Sequence, residues 1–210
     1  LDNVQSGKQI KGKQKMTIKI LYDNTALPGY KADWGFSCLI ADSILFDAGT
    51  KSDILVTNIK KMNIDTKKIK TVIFSHKHFD HIGGLTGLLS LDNSVETIYC
   101  TPDAVEPVKK TIPGKTKIEV KPIHDFGYIN GYMYTSGSID CIYKTYSLQE
   151  QAVIIERDDK IGIITGCAHP GIINIVRHVK KKMPGKEISF VIGGFHTSEF
   201  SSDMLKKMAV

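Results

Sequence analysis

His76, His78, Asp80 and His81 stand within one hexamer, His76-Lys77-His78-Phe79-Asp80-His81. Three imidazoles and a carboxylate at this spacing are donors for a divalent cation such as zinc, iron or manganese. They follow directly on Thr71 to Ser75 (TVIFS), a short apolar run of the kind that forms a buried central strand. A strand ending in a loop can aim closely spaced side chains into one pocket, whereas a helix would scatter positions 76, 78, 80 and 81 around its circumference. The alternative is a chance cluster of surface histidines. The buried-strand signature argues against it, because three of the chain's seven histidines fall in this one hexamer. Gly83-Gly84 then lets the backbone turn sharply. It also lets a helix begin with free N–H groups near the metals.

Two more histidines follow apolar strands in the same way. Gly162 to Thr165 runs into Gly166-Cys167-Ala168-His169, and Val191-Ile192 runs into Gly193-Gly194-Phe195-His196. A lone histidine is usually structural, but two at strand ends beside such a hexamer become candidate ligands. His178 sits among lysines on a helix and reads as solvent-facing. His124, next to Asp125, reads as a loop residue on the surface, with substrate contact as the lesser reading.

The elements that must position these groups are legible in outline. Met16 to Tyr22 alternates as a strand. Pro28-Gly29 marks a turn, and Phe36 to Ile40 and Ser43 to Asp47 read as strands joined at Ala41-Asp42. Ser52 is a candidate N-cap, with Asp53 in the first turn of a helix whose inner face holds Ile54, Leu55, Ile59 and Met62. Leu85 to Leu89 continues as a helix. Strands follow at Val95 to Cys100, Lys117 to Val120 and Met133 to Thr135, with a short helix at Pro102 to Lys110. Gln151 to Glu156 and Lys160 to Thr165 form a hairpin turning at Asp158-Asp159. Gly171 to Lys182 is an amphipathic helix with Ile172, Ile175, Val176 and Val179 inward, stopped by Pro184-Gly185. Ile188 to Ile192 is the last strand. Two β-rich halves with intervening helices predict helices on both outer faces of a two-sheet core.

With 210 residues, 41% apolar and 24% charged, the chain suits one large globular domain that needs no metal to fold. The net charge of +6 gathers at Lys8, Lys11, Lys13, Lys15 and Lys19, at Lys67, Lys68 and Lys70, and at Lys180 to Lys182. These lysines read first as solvated faces and a loose tail, and second as attraction for an anionic substrate. No arginine-rich, aromatic-interleaved stripe points to nucleic acid. No apolar run approaches a membrane span, and the N-terminal stretch lacks the apolar region of a signal peptide. Cys38, Cys100, Cys141 and Cys167 form no CxxC pair, so reduced thiols and a cytoplasmic location are expected. Residues 1–15 are expected to be a flexible basic extension, and 16–210 a single domain.

The H-x-H-x-D-H-x-G-G stretch resembles the metallo-β-lactamase superfamily. So do Asp33-Trp34-Gly35-Phe36-Ser37, Ile44-Leu45-Phe46-Asp47-Ala48-Gly49, Glu150-Gln151-Ala152, Thr165-Gly166-Cys167-Ala168-His169-Pro170-Gly171-Ile172 and Gly193-Gly194-Phe195-His196. The resemblance spans Met16 to Phe200. It is narrowest to a branch similar to 7,8-dihydropterin-6-ylmethyl-4-(β-D-ribofuranosyl)aminobenzene 5′-phosphate synthases of methanopterin biosynthesis, many of whose members carry only the label of metal-dependent hydrolase. It implies an α/β fold, a four-layer αββα sandwich with two divalent metal ions, zinc foremost, in a cleft at one edge. It implies His76 and His78 on one metal, Asp80 and His81 on the other, and His169 and His196 completing the set, with His169 beside the first pair. Many superfamily hydrolases have a bridging aspartate where this chain has Cys167, which is then either a soft metal ligand or a small packed residue. Branch members continue into a further His-Cys-Thr segment and a closing strand. The chain ends at Val210 without them, so the domain is expected to lack its closing segment.

Asp47, at a strand end near the implied site, reads as a carboxylate holding a ligand histidine, or as a turn cap. Trp34 reads as a platform for a flat substrate at the cleft rim, or as a core anchor. The expected chemistry is hydrolysis of an anionic or phosphorylated small molecule through a metal-activated hydroxide, with Asp80 both ligating and orienting the nucleophile. The alternatives are a pterin-handling transferase that joins a dihydropterin to an aminobenzene ribosyl phosphate, and a non-catalytic metal-binding protein.

Overall fold

Val72 and Phe74 pack into one apolar cluster and Ile73, between them, into another. A strand buried on both faces needs a layer on each side, and that requirement sets the architecture. The computed structural model describes residues 16–114 and 116–197. The basic stretch 1–15 and the C-terminal residues 198–210 lie outside the described residues. In chain order the elements begin with β1 (Ile18–Tyr22), β2 (Ser37–Ile40), β3 (Ile44–Phe46), α1 (Ser52–Lys61), β4 (Thr71–Ile73), α2 (Phe79–Ile82), α3 (Leu85–Ser90), β5 (Thr97–Cys100), α4 (Val105–Thr111) and β6 (Glu119–Pro122). They continue with β7 (Gly127–Asn130), β8 (Met133–Thr135), β9 (Ile139–Tyr143), β10 (Tyr146–Glu150), β11 (Val153–Arg157), β12 (Lys160–Thr165), α5 (Ile172–Lys182) and β13 (Glu187–Gly193).

One sheet runs β1-β2-β3-β4-β5-β6 and the other β13-β12-β11-β8-β7, while β9 and β10 form a separate two-stranded ribbon. Strands β3 to β6 are parallel, as are β12 and β13. Phe36, Cys38, Ile40, Phe46 and Ile73 meet Met133, Val153, Ile155 and Ile164 between the sheets. The outer face of the first sheet is covered through Ile54, Leu55 and Ile59 of α1, Leu85 and Leu88 of α3, and Val108 of α4. Ile175 and Val179 of α5 cover Ile154, Ile161 and Ile163 of the second. Each such side chain contributes about 1.5–3 kcal/mol when removed from water. The result is the four-layer αββα sandwich. Among the described residues no helix is long and apolar enough to cross a membrane.

Local details depart from the sequence reading at three points. Ser52 does not cap α1: the N-cap position is Lys51, without a side-chain bond. Ser52 Oγ instead accepts the Gly87 N–H (3.1 Å) and hydrogen-bonds Thr86 Oγ1 (2.8 Å), tying α1 to α3. His178 is half-buried rather than fully solvent-facing, and its imidazole hydrogen-bonds the Ser136 carbonyl (2.9 Å). Strands β7, β9 and β10 were not legible at all, since each is short and mixes polar with apolar positions.

Candidate metal centre

The parallel strand β4 ends at Ile73, and the chain passes through Phe74 and Ser75 into the hexamer. Gln151 fixes that exit: its N–H donates to the Ser75 carbonyl (2.8 Å) and its Nε2 to the Phe74 carbonyl (2.9 Å). His76 is wholly buried, and the one-turn helix α2 starts after His78. Gly83 and Gly84 do not direct free N–H groups at the cluster, because they donate to the Phe79 (2.7 Å) and Gly49 (3.0 Å) carbonyls. Both have right-handed backbone. Glycine is needed there because a Cβ would collide with the Thr50 and Ala48 carbonyl oxygens.

Two donor groups form. The ligand atoms of His76, His78 and His169 lie within 4.8 Å of one another, and so do those of His76, His81 and Cys167. His81 Nε2 is 3.1 Å from Cys167 Sγ and 3.4 Å from Asp80 Oδ2. His196 belongs to neither group. It is exposed, its ring centroid 4.8 Å from that of His169. Trp34 is also exposed and lines a cleft together with Asp80, His81 and Cys167. It is a rim residue, not a core anchor.

Asp47 sits beneath both groups. Its Oδ1 accepts the Ser75 N–H (2.7 Å), and its Oδ2 accepts both Ser75 Oγ–H (2.8 Å) and His81 Nδ1–H (2.7 Å). Ser75 Oγ, having donated its proton to Asp47, accepts from His76 Nδ1 (2.8 Å). These bonds give His76 and His81 the same tautomer, with Nε2 turned toward the cluster. His78 faces His76 Nε2 with its Nδ1 (3.0 Å) and Tyr146 Oη with its Nε2 (2.7 Å). Tyr143, on the same β9–β10 ribbon, places its ring centroid 4.4 Å from that of His169.

The electrostatics separate the groups. Burial, then the neighbouring imidazoles, holds His76 well below the ordinary histidine range and takes His169 down to about 3. Burial likewise lowers His78. Burial also pulls on His81, but the Asp47 carboxylate outweighs it, helped by Asp80 and Cys167, and the imidazole is held well above its ordinary value. Asp80 is kept ionised: burial opposes its charge, but the contacts with His81 prevail. Burial pushes the Cys167 thiol up, against the pull of His81.

The donor set fits a cation. With His76 Nδ1 donating to Ser75, the His76 Nε2 lone pair is turned to the cluster, 3.0 Å from His78 Nδ1. Both ring nitrogens of His169 are buried with no hydrogen-bond partner among the described residues. Orphaned buried polar atoms are costly and rare in folded proteins, and a metal ion would take up one ring nitrogen of His169 together with the His76 lone pair. The hexamer, His169, Cys167 and Asp47, which stand out in the sequence, are brought together in the structure. Sequence reasoning missed the relay through Ser75, read only as a strand end, and the two tyrosines of the ribbon. It also missed Glu150, whose only signal was its place in the Glu150-Gln151-Ala152 string.

A two-sheet α/β sandwich with imidazole, carboxylate and thiol groups gathered at its strand ends defines a metallo-β-lactamase-type metal-binding protein. The comparisons agree. A family model described as the β-lactamase superfamily domain matches residues 42–131. An uncharacterized protein of Methanocaldococcus jannaschii is 32% identical over 91% of this chain and 83% of its own length. The 7,8-dihydropterin-6-methyl-4-(β-D-ribofuranosyl)-aminobenzene-5′-phosphate synthase of the same organism is 28% identical over 79% of this chain and 69% of its own. A crystal structure described as a metal-dependent hydrolase of the β-lactamase superfamily superposes with a TM-score of 0.73 at 25% identity, covering 92% of this chain and 82% of the other. The chain belongs to the β-lactamase superfamily, in its metallo-β-lactamase-fold form.

Proposed function

We propose that this chain is a metal-dependent hydrolase acting on an anionic or phosphorylated small molecule. The observation that carries the reading is the pair of donor groups sharing His76, their lone pairs turned inward by Asp47 and Ser75. His76, His78 and His169 would hold one ion, and Asp80, His81 and Cys167 the other, with His196 at the open side next to His169. Residues 16–210 would act as one domain. Imidazole and thiolate together favour zinc over harder cations. Divalent ions bound here supply Lewis acidity toward a phosphoryl or carbonyl oxygen and bring a water's pKa toward neutrality.

The chain's own residues do the rest. Asp47 accepts from His81 Nδ1 and, through Ser75, fixes the proton on His76 Nδ1, so that both Nε2 atoms face the cluster, that of His81 free to bind once its second proton has left. Asp80, ionised and almost fully buried, is the acceptor that orients a water nucleophile. Lys144, with Nζ 5.3 Å from the centroid of Tyr143, brings a cation to the ribbon side of His78 and His169, which suits an anionic substrate.

Transferase chemistry on a dihydropterin is the second reading. It is favoured by the similarity to the synthase and by the exposed indole of Trp34 at the cleft. Both readings are tested by loading the protein with Zn2+ and assaying a panel of phosphate esters, with dihydropterin binding measured in parallel. Hydrolysis abolished in His78→Ala and Asp80→Ala, with the fold retained, is expected. Saturable dihydropterin binding without ester hydrolysis would shift the assignment to the transferase. Full hydrolytic activity in either variant, or in metal-stripped protein, overturns the metal-dependent reading.

A further inference from the structure

Three of the clustered histidines have a side-chain partner behind them: Ser75 for His76, Tyr146 for His78 and Asp47 for His81. Among the described residues His169 has none, since both of its ring nitrogens lack a hydrogen-bond partner there. Cys167 Sγ has, among the described residues, a hydrogen-bond contact with His81 alone. The aim of these two side chains is therefore set by the backbone of the turn that carries them. That turn is bound from below by one carboxylate. Glu150, at the end of β10 and 1% exposed, accepts the Cys167 N–H (2.9 Å) and Ala168 N–H (2.7 Å) at Oε1 and the His169 N–H (2.7 Å) at Oε2. Three successive N–H groups can converge on one anion because Ala168 takes a left-handed conformation, φ 58°, the concave arrangement that backbone amides use to cradle negative charge.

Cys167 and His169 fall in different donor groups. We propose that Glu150 is a positioning residue for both metal sites at once, holding the Cys167–His169 turn so that one ligand of each site points inward. The inference rests on the metal-centre reading above and deepens it. Asp47 orients His76 and His81 through their side chains, and Glu150 orients Cys167 and His169 through their backbone. A carboxylate is needed because all three partners are donors. In Glu150→Gln the amide replaces one acceptor oxygen by a donor facing an N–H. Glu150→Asp keeps the charge but shortens the reach by one methylene.

The test is titration of the full metal-free chain with Co2+, read by ligand-field absorption and by thiolate-to-cobalt charge transfer. Cys167→Ser and Tyr146→Phe serve as single-site controls. Wild type is expected to take up two ions, one with a thiolate band. Cys167→Ser should weaken only the thiolate site and Tyr146→Phe only the other. Glu150→Gln should weaken both in parallel, by about 10- to 100-fold each, the usual consequence of losing a group behind a ligand, with Glu150→Asp partly restoring both. If Glu150→Gln does not fold, Glu150→Asp carries the test: weakening at both sites supports the proposal and wild-type binding at both overturns it. A Glu150→Gln protein whose melting temperature drops but whose two Co2+ affinities match wild type makes Glu150 a structural anchor only and overturns the proposal. Weakening confined to one site overturns it as well. A wild-type chain that takes up no Co2+ overturns the metal-centre reading itself.

Discussion

Asp47 Oδ2 and His81 Nδ1 lie 2.7 Å apart with neither side chain reaching solvent. The same carboxylate also takes the N–H and O–H of Ser75, so a single residue with left-handed backbone, φ 54°, organises both donor groups. Asp47→Asn keeps the shape but removes the charge and introduces a donor among donors. It is expected to fold and to bind metal about 10- to 100-fold more weakly. Asp47→Ala leaves buried donors without an acceptor, and a loss of about 3–5 kcal/mol is expected, as when a buried pair is broken. Denaturant unfolding and metal titration of the two variants check this. Wild-type metal affinity in Asp47→Asn would remove Asp47 from the site.

The opposed proton affinities of the two groups predict different pH behaviour. His76, His78 and His169 are held below the ordinary histidine range, His169 at about 3, so all are neutral at pH 7. Protons compete with metal there only in more acidic solution, and affinity at that group should depend less on pH between about 8 and 7 than affinity at the other. His81 and the Cys167 thiol are both raised, so each carries a proton at neutral pH that metal must displace. Affinity at that group should rise with pH, with release of about two protons per ion. Calorimetric Zn2+ titration in buffers of different ionisation heat resolves the two steps. Equal proton release at both would contradict the assignment of ligands.

The hexamer was legible because its donors are contiguous and follow an apolar strand, so that spacing and burial appear together in one short stretch. Asp47 was legible for the same reason, as the polar residue that ends β3. The two-sheet core with helices on its outer faces followed from the succession of strands and helices, and the four-layer sandwich from the resemblance to metallo-β-lactamases. What could not be read acts at long range. Glu150 reaches the turn at Cys167 through the backbone, and Tyr146 reaches His78 from a ribbon whose strands (IDCIY and YSLQE) mix exposed and buried positions without a clear period. Ser75 required knowledge that Asp47 lies beside it. Such contacts depend on how the second sheet and the ribbon dock on the first, which no local pattern encodes.

Gly166 marks where that docking is tightest. A Cβ at this position would collide with Ser75 Oγ and come within 3.0 Å of Asp47 Oδ2. Gly166→Ala must therefore displace the Ser75–Asp47 pair or push β12 away from it. Overpacking of this kind costs about 1–3 kcal/mol. Because the displaced groups stand behind His76 and His81, metal affinity should fall together with the melting temperature. A Gly166→Ala protein with unchanged stability and unchanged metal content would mean that the two sheets are not this close at the site.

Trp34 offers a test of substrate recognition that leaves the metals alone. Its loop is held without the indole, by the Asp33–Lys51 ion pair and by donation from the Gly35 N–H to Asn24 Oδ1 (3.0 Å). The side chain itself is 57% exposed. Trp34→Ala should change stability by no more than about 0.5 kcal/mol, whereas a core anchor of this size would cost about 3–5 kcal/mol. If the indole stacks on a flat substrate, the lost contact is worth about 0.5–1.5 kcal/mol, a rise in KM of about 2- to 12-fold. Trp34→Phe should recover most of it, and kcat should hold because the indole is not one of the donor atoms. Steady-state kinetics on a flat and a non-planar substrate separate the cases. An equal KM change for both, or none for either, would remove Trp34 from substrate recognition.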